Sequence, residues 1–345
     1  VLSRKFERFL LKWILRLPEN FLRKISGGTT TKRGRILDAK IQIGLFLARI
    51  KPKIETLAPK EARIFFKNSM FLFDLEPDLG IQIENLLIPV EDGNIQARLY
   101  RSNSSIETTP AIVYFHGGGF VIGDLETHDP PLRYIAKSSG VTVIAVDYRL
   151  GPEHKFPTAV EDAFVAYQWI LKNAKTLRIL PKKIAVGGDS AGGNLAANVC
   201  ILSKKKKIRS PFFQLLIYPY LDLFRMSKSR YEFGKGYALT NDLLDFFNAH
   251  YLHSPREGKE IAASPILHKK ISDFPRTFVQ LAGFDPLQDE AIEFIEALKK
   301  VKVPVEFQMY ETLVHGYFNF AGLIPDAKKA LDGAVLLIRK GFGIK

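Results

Sequence analysis

Apolar residues first recur at helical spacing. Phe6, Phe9, Leu10, Trp13, Ile14 and Leu17 share one face of a helix, and Arg4, Lys5, Arg8, Lys12 and Arg16 occupy the other. This pattern supports two readings: an interfacial helix lying on anionic lipid, or a helix that packs its apolar face on the protein with a solvated basic side. Ser26 to Lys32, rich in Gly and Thr, reads as a flexible linker. Helical spacing returns from Ile36 to Ile50 and again from Lys60 to Leu72. The period then changes to two. Gln82 to Val90 and Ile95 to Arg101 flank Glu91-Asp92-Gly93-Asn94, which predicts an antiparallel hairpin. Apolar strands follow at 111–115 and 141–146. Beyond them helices and strands alternate: helix 158–173, strand 184–187, helix 191–202, strand 213–217, strand 277–282, helix 288–300, strand 305–310 and helix 326–341. Such alternation means an α/β fold with a largely parallel sheet covered on both faces.

Composition narrows the class. The chain has 345 residues, 46% of them hydrophobic, enough for one large α/β domain with an accessory part. A single cysteine, Cys200, excludes an internal disulfide and falls on the apolar side of a helix, as a buried structural thiol would. The net charge of +14 is concentrated at the front: residues 1–35 carry ten Lys/Arg against Glu7 and Glu19, so +8 of it lies there. The remaining body is only mildly basic, which argues against nucleic-acid binding. No apolar run approaches the ~18 residues of a membrane span. No export signal is visible, so a cytoplasmic protein is expected, with peripheral membrane contact through residues 1–35 and a homodimer both left open. Lys204 to Lys207 read as a solvated loop after a helix end.

The candidate chemistry centres on Gly188-Asp189-Ser190-Ala191-Gly192, a G-x-S-x-G pattern between a predicted strand and a predicted helix. Glycines two before and two after Ser190 permit a sharp turn that lifts the serine above the sheet. His116-Gly117-Gly118-Gly119-Phe120 closes the strand at 111–115. Consecutive glycines let backbone N–H groups converge on one point, as an acyl-transfer oxyanion requires. The run lacks the Lys-Ser/Thr ending and G-x-G-x-x-G spacing of nucleotide loops. A nucleophilic serine needs a base, and the base an orienting acid. His315 follows a predicted strand by a short loop. His128, His154 and His268 lie in loop-like sequence, and His250 and His253 sit on a predicted helix with no third metal ligand nearby. Asp285 stands at the tip of strand 277–282, where open α/β sheets carry their catalytic groups, whereas Asp289 and Glu290 suit a helix N-terminus.

These motifs together resemble the hormone-sensitive-lipase-type branch of the α/β-hydrolases. Asp147-Tyr148-Arg149-Leu150-Gly151-Pro152-Glu153-His154, Phe156-Pro157, Glu161-Asp162, Asp285-Pro286-Leu287 and His315-Gly316 add to the likeness, which covers roughly residues 36–343. The resemblance implies a mostly parallel eight-stranded sheet with a helical cap. The cap would comprise residues 36–80 and an insertion at 223–262, the core residues 81–222 and 263–345, and residues 1–35 would be a basic extension outside the family pattern. It further implies a serine carboxylesterase acting on short- to medium-chain acyl esters, without metal or organic cofactor. Ser190 would be the nucleophile, His315 the base and Asp285 its acid. The N–H groups of Gly118, Gly119 and Ala191 would form the oxyanion hole, with His116 and Gly117 shaping the loop. Phe120, Asp189, Tyr220 and Phe224, with Phe246, Phe247 and Tyr251 of the cap, are candidates to line the pocket. Gly151, Gln288 and Tyr317 depart from the usual alanine, acid-motif and phenylalanine positions. An amidase or peptidase using the same triad, or a non-catalytic small-molecule receptor of this fold, remain as alternatives.

Overall fold

A computed structural model describes residues 4–103 and 108–344. Eight strands form the main sheet: β1 (Ile81–Val90), β2 (Gly93–Ser102), β3 (Thr109–Phe115), β4 (Thr142–Asp147), β5 (Ile179–Asp189), β6 (Gln214–Ile217), β7 (Thr277–Phe284) and β8 (Val305–Val314). Their spatial order is β1-β2-β4-β3-β5-β6-β7-β8. β1 and β2 pair antiparallel from Ile81↔Ser102 to Val90↔Gly93, so the hairpin turn is reduced to Glu91-Asp92. β2 also runs antiparallel to β4, and the other pairs are parallel. The central strands β3, β4, β6 and β7 are buried almost throughout, as apolar runs between two covering layers must be.

Among the described residues eleven α-helices accompany the sheet: α1 (Arg4–Ile14), α2 (Glu19–Ile25), α3 (Ala39–Ala48), α4 (Pro59–Phe73), α5 (Leu125–Ser139), α6 (Thr158–Lys172), α7 (Ala191–Lys205), α8 (Lys228–Phe233), α9 (Asn241–Tyr251), α10 (Gln288–Lys300) and α11 (Pro325–Phe342). The two faces of the sheet carry two cores. One collects α6, α7, α9 and α10 side chains such as Ala163, Leu195, Leu244 and Phe294. The other collects Leu132 and Ile135 of α5, Ala330 and Ile338 of α11, and Leu15, Leu22, Leu37 and Ile41 from the N-terminal region. Cys200 is fully buried, and burial pushes its thiol pKa well up.

Several local expectations change. His128, expected in a loop, lies inside α5, a helix the pattern did not predict. Ser26 to Lys32 is no linker: Thr31–Lys32 and Arg35–Ile36 pair as a small antiparallel ribbon, and the Gln42 side chain ties Ser26 Oγ (2.9 Å) to the Thr30 N–H (3.2 Å). The lysine run does not follow the helix but ends it, because Lys204 and Lys205 complete the last turn of α7, where cations favour the helix dipole. His253 lies beyond the end of α9, while the His250 ring nitrogen bonds the Phe246 carbonyl at 2.8 Å.

The N-terminal helix departs most. The side that faces the protein is mixed: Leu11 and Ile14 pack against the core beside the buried Leu15, and Arg8 and Lys12 join them. Arg8 is buried, donating to the Asp74 carbonyl with Glu76 at 3.2 Å, while Phe6, Phe9, Leu10 and Trp13 are exposed. Among the described residues no helix is long and apolar enough to cross a membrane.

Candidate active site

Ser190 joins β5 to α7. It holds φ 53° and ψ −119°, a conformation that costs a non-glycine residue energy and is kept only where the surroundings enforce it. The surroundings here are close backbones. A Cβ on Gly188 would lie 2.3 Å from the Gly192 carbonyl carbon, and one on Gly192 only 1.8 Å from the Phe115 oxygen, so glycine at both positions lets the elbow close. The Ser190 N–H donates to Ile217 O at 2.9 Å, fixing the turn to β6.

β8 ends at Val314 and delivers His315, followed by Gly316 in the left-handed region (φ 83°). β7 ends at Phe284 and delivers Asp285. The structure brings the three side chains together. His315 Nε2 is 2.8 Å from Ser190 Oγ, and His315 Nδ1 is 2.9 Å from Asp285 Oδ2. Asp285 Oδ1 also accepts the Leu287 N–H at 2.8 Å. Asp285 is buried at 1% exposure, whereas Ser190 and His315 each keep 8%, enough to meet a substrate. With Nδ1–H donating to the carboxylate, Nε2 is free to take the serine proton. The Tyr218 ring, itself in a positive-φ residue, packs 4.6 Å from the imidazole and helps hold its plane.

The glycine loop turns beside Ser190. Gly118 (φ 120°) and Gly119 (φ 60°) both occupy conformations that favour glycine. Gly118 turns its carbonyl to the Val121 and Ile122 N–H groups, while its own N–H and that of Gly119 donate to nothing among the described residues. The Ala191 N–H, at the first position of α7, is one of the donors a helix start leaves open. These are the donors an oxyanion would need. The Phe247 ring of α9 sits so close to Gly119 that a Cβ there would fall 2.1 Å from it.

His116 does not face the serine. It is buried, stacks 4.3 Å from the Tyr148 ring, and its Nδ1–H donates to the Gly117 carbonyl at 2.8 Å. Burial, with the nearby His128 charge, pushes it down to about 4, so the ring is neutral at physiological pH. Asp189 is not a pocket wall. It lies under the loop, where Oδ1 accepts the Gly117 N–H (3.0 Å) and the Tyr114 hydroxyl (3.1 Å), and Oδ2 accepts the Tyr218 hydroxyl (3.4 Å). His128 Nε2 stands 3.1 Å from Asp189 Oδ1 as an ion pair. Burial opposes charge on both groups, but their mutual attraction prevails, lowering the Asp189 pKa and raising that of His128.

The remaining pocket candidates pack differently. Phe120 is buried and stacks 4.0 Å from the Tyr251 ring. Tyr220 is buried, donating its N–H to Ser190 O and its hydroxyl to Asn248 Oδ1, both at 3.0 Å. Phe224 is nearly half exposed, with Lys259 over its ring. A polar cleft of about 490 Å³, lined by Arg63, Asp124, Asp147, Tyr148 and Glu153, contains none of Ser190, Asp285 and His315.

Several supporting residues carry no sequence signal, because their partners are far along the chain. Arg63 of α4 donates to Val121 O (2.8 Å) and Gly151 O (2.7 Å), pinning the segment after the glycines. Glu290 accepts the Leu221 (2.7 Å) and Asp222 (3.1 Å) N–H groups near the start of the 223–262 segment, beside Arg230 of α8. Arg33 and Arg35 of the small ribbon reach the acid loop. Arg33 Nη1 is 2.9 Å from both Gln288 Oε1 and Asp289 Oδ1, and Arg35 Nη1 is 3.1 Å from Gly283 O and Gln288 Oε1. The three unusual residues thus have local work: Gln288 receives both arginines, Tyr317 donates to Gln280, and a Cβ on Gly151 would lie 2.6 Å from His250 O.

Comparison with known proteins agrees with this geometry. Residues 112–319 match a family described by the alpha/beta hydrolase fold. The chain is 38% identical over 249 residues to the carboxylic ester hydrolase LipN of Mycobacterium tuberculosis, covering 70% of this chain and 66% of LipN. It is 31% identical over 295 residues to ethyl acetate hydrolase of Pseudomonas putida, covering 84% and 92% of the two chains. Among solved structures it is similar to an ester hydrolase from the Lake Arreo metagenome, with a TM-score of 0.85, 31% identity and coverage of 95% and 99%. An esterase of Pyrobaculum calidifontis superposes with a TM-score of 0.79 at 36% identity, covering 84% of this chain and 95% of that one. The chain belongs to the α/β-hydrolase-fold family, in its hormone-sensitive-lipase-type carboxylesterase branch.

Proposed function

We propose that this carboxylic ester hydrolase cleaves short- to medium-chain acyl esters through an acyl-enzyme on Ser190. The observation that carries the reading is the unbroken relay from Ser190 Oγ through the His315 ring to Asp285. His315 Nε2 accepts the serine proton as Oγ adds to the ester carbonyl. Asp285 holds the tautomer and stabilises the imidazolium. The N–H groups of Gly118, Gly119 and Ala191 receive the negative charge on the former carbonyl oxygen. His315 then protonates the departing alcohol, and a water activated by the same ring releases the acid. Phe247 over Gly119 narrows the space beside the hole, and the likeness to a relative named for ethyl acetate supports small acyl groups. The segment at Ile54–Thr56 meets α9, which supports reading 36–80 and 223–262 as a cap over the site.

Hydrolysis of a p-nitrophenyl ester series by the intact protein and by Ser190→Ala tests this. The variant is expected to lose on the order of 10⁴–10⁶ in kcat, with the best acyl group in the short to medium range. Activity that survives the substitution would sink the mechanism. A folded wild type inert toward every ester would favour a receptor instead.

A further inference from the structure

α1 meets the protein with a mixed side, Leu11 and Ile14 against the core and basic residues beside them. Arg8 donates to the Asp74 carbonyl, Lys12 reaches Glu76 at 3.3 Å, and Arg4 donates to Asn68 at 2.9 Å. These polar contacts, together with Leu11 and Ile14 on the core, hold the helix with its aromatic side outward: Phe9 is 62% exposed and Trp13 60%. The Glu7–Lys51 ion pair (3.8 Å) brings the turn after α3 alongside, where Ile50 is 88% exposed between Arg49 and Lys51. Of the 22 large apolar side chains exposed among the described residues, 11 lie between Phe6 and Phe71, so exposure is concentrated in this region. A soluble surface does not ordinarily gather apolar side chains in this way unless something covers them.

The charges nearby say what. Lys5, Arg16, Lys24, Arg49 and Lys53 are exposed and have no carboxylate partner among the described residues. On a helical wheel Lys5 borders the Phe9–Trp13 stripe, and Arg16 lies in the turn just past α1. A second copy meeting this face about a two-fold axis would set these cations against themselves. An anionic bilayer complements both features, taking aromatic rings at the level of the headgroups and neutralising the flanking lysines and arginines.

We propose that α1, with the Ile50 turn beside it, is a membrane-docking surface that seats the protein on anionic lipid, with the Phe9–Trp13 stripe inserted in the interface. The seat is peripheral, and it stands independently of the reading of Ser190.

The test is sedimentation of the full chain with vesicles of phosphatidylcholine, with and without a minority of phosphatidylglycerol, at low and high salt. Wild type is expected to sediment with the anionic vesicles and to lose binding as salt rises. Phe9→Glu/Trp13→Glu should weaken partitioning about tenfold or more. Lys5→Glu/Arg16→Glu should remove the preference for anionic lipid, and Leu336→Glu, an exposed apolar residue of α11, should change nothing. In a Trp169→Phe background, Trp13 emission should shift to the blue on binding. Both glutamate variants should hydrolyse a soluble ester as wild type does, which shows that they fold. Equal binding of wild type to neutral and anionic vesicles, or full binding by Phe9→Glu/Trp13→Glu, would overturn the proposal. So would a dimer that the double glutamate variant dissolves while no vesicle binding is seen, because the face would then serve a second copy.

Discussion

Asp189 precedes the candidate nucleophile, and from the sequence alone a carboxylate there reads as part of the pocket. Its surroundings are set by His128, 61 positions earlier, by Tyr114 of β3 and by Tyr218 just past β6, contacts that no local pattern encodes. The serine, the glycines and His315 were legible because their chemistry demands particular residue types at strand ends. Asp189 was not, because burial belongs to the assembled sheet. The pair has a consequence for pH. Asp189 is lowered from 3.8, so its contribution to stability is present above that value and lost as pH falls through the folded pKa. His128 is raised from 6.5, so its contribution is full below 6.5 and lost as pH rises through its folded pKa. The pair therefore stabilises most between these limits. Urea unfolding of wild type should show stability declining above neutrality. Asp189→Asn, which keeps an acceptor for Gly117 but removes the charge, should cost about 3 kcal/mol near pH ~6 and abolish that decline. An unchanged pH profile in the variant would refute the ion pair.

At the scale of elements, the periodicity located α10 to the residue and β5, α7 and β8 within a few positions, because their apolar faces meet a sheet on a fixed period. It could not tell which face of α1 meets the protein. Amphipathic spacing reports two faces and not which one is covered, and here Asp74 and Glu76 draw in Arg8 and Lys12 beside Leu11 and Ile14, leaving Phe9 and Trp13 outside. The ribbon at 31–36 was also missed, since Gly-Gly-Thr-Thr-Thr has turn composition and its order comes from Gln42 and from the acid loop it clasps. That clasp has a testable role. Arg33 and Arg35 hold Gln288 and Asp289, which open α10 just after the Asp285-Pro286-Leu287 turn. Loosening the loop should disturb the Asp285–His315 contact without touching substrate. Arg33→Ala/Arg35→Ala is expected to lower kcat about tenfold with KM little changed. Arg33→Lys/Arg35→Lys should recover part of the loss, since lysine supplies charge without the guanidinium fork. If kcat is unmoved and only thermal stability falls, the ribbon packs against the loop but does not position it.

For the whole molecule, the family resemblance begins near residue 36 and leaves residues 1–35 as a basic extension whose role it does not supply. The structure makes them part of the protein. Leu15 and Leu22 are buried in the same core as α5 and α11, Arg23 donates to Leu37 O at 3.0 Å, and Asp38, just beyond, bonds Thr312 O of β8 at 3.0 Å. The segment thus has an inner side that completes a core and clasps the acid loop, and an outer side of exposed aromatics and of cations with no carboxylate partner among the described residues. Deletion cannot separate the two. Removing residues 1–35 takes away two buried leucines, each contributing about 2 kcal/mol, together with both ribbon arginines. The deletion should lower the urea midpoint by the equivalent of roughly 4 kcal/mol or more and reduce kcat on a soluble ester. Phe9→Glu/Trp13→Glu should leave both quantities at the wild-type level. A deletion variant with the wild-type midpoint and kcat would show that the inner side contributes nothing, and would return residues 1–35 to the status of an appendage.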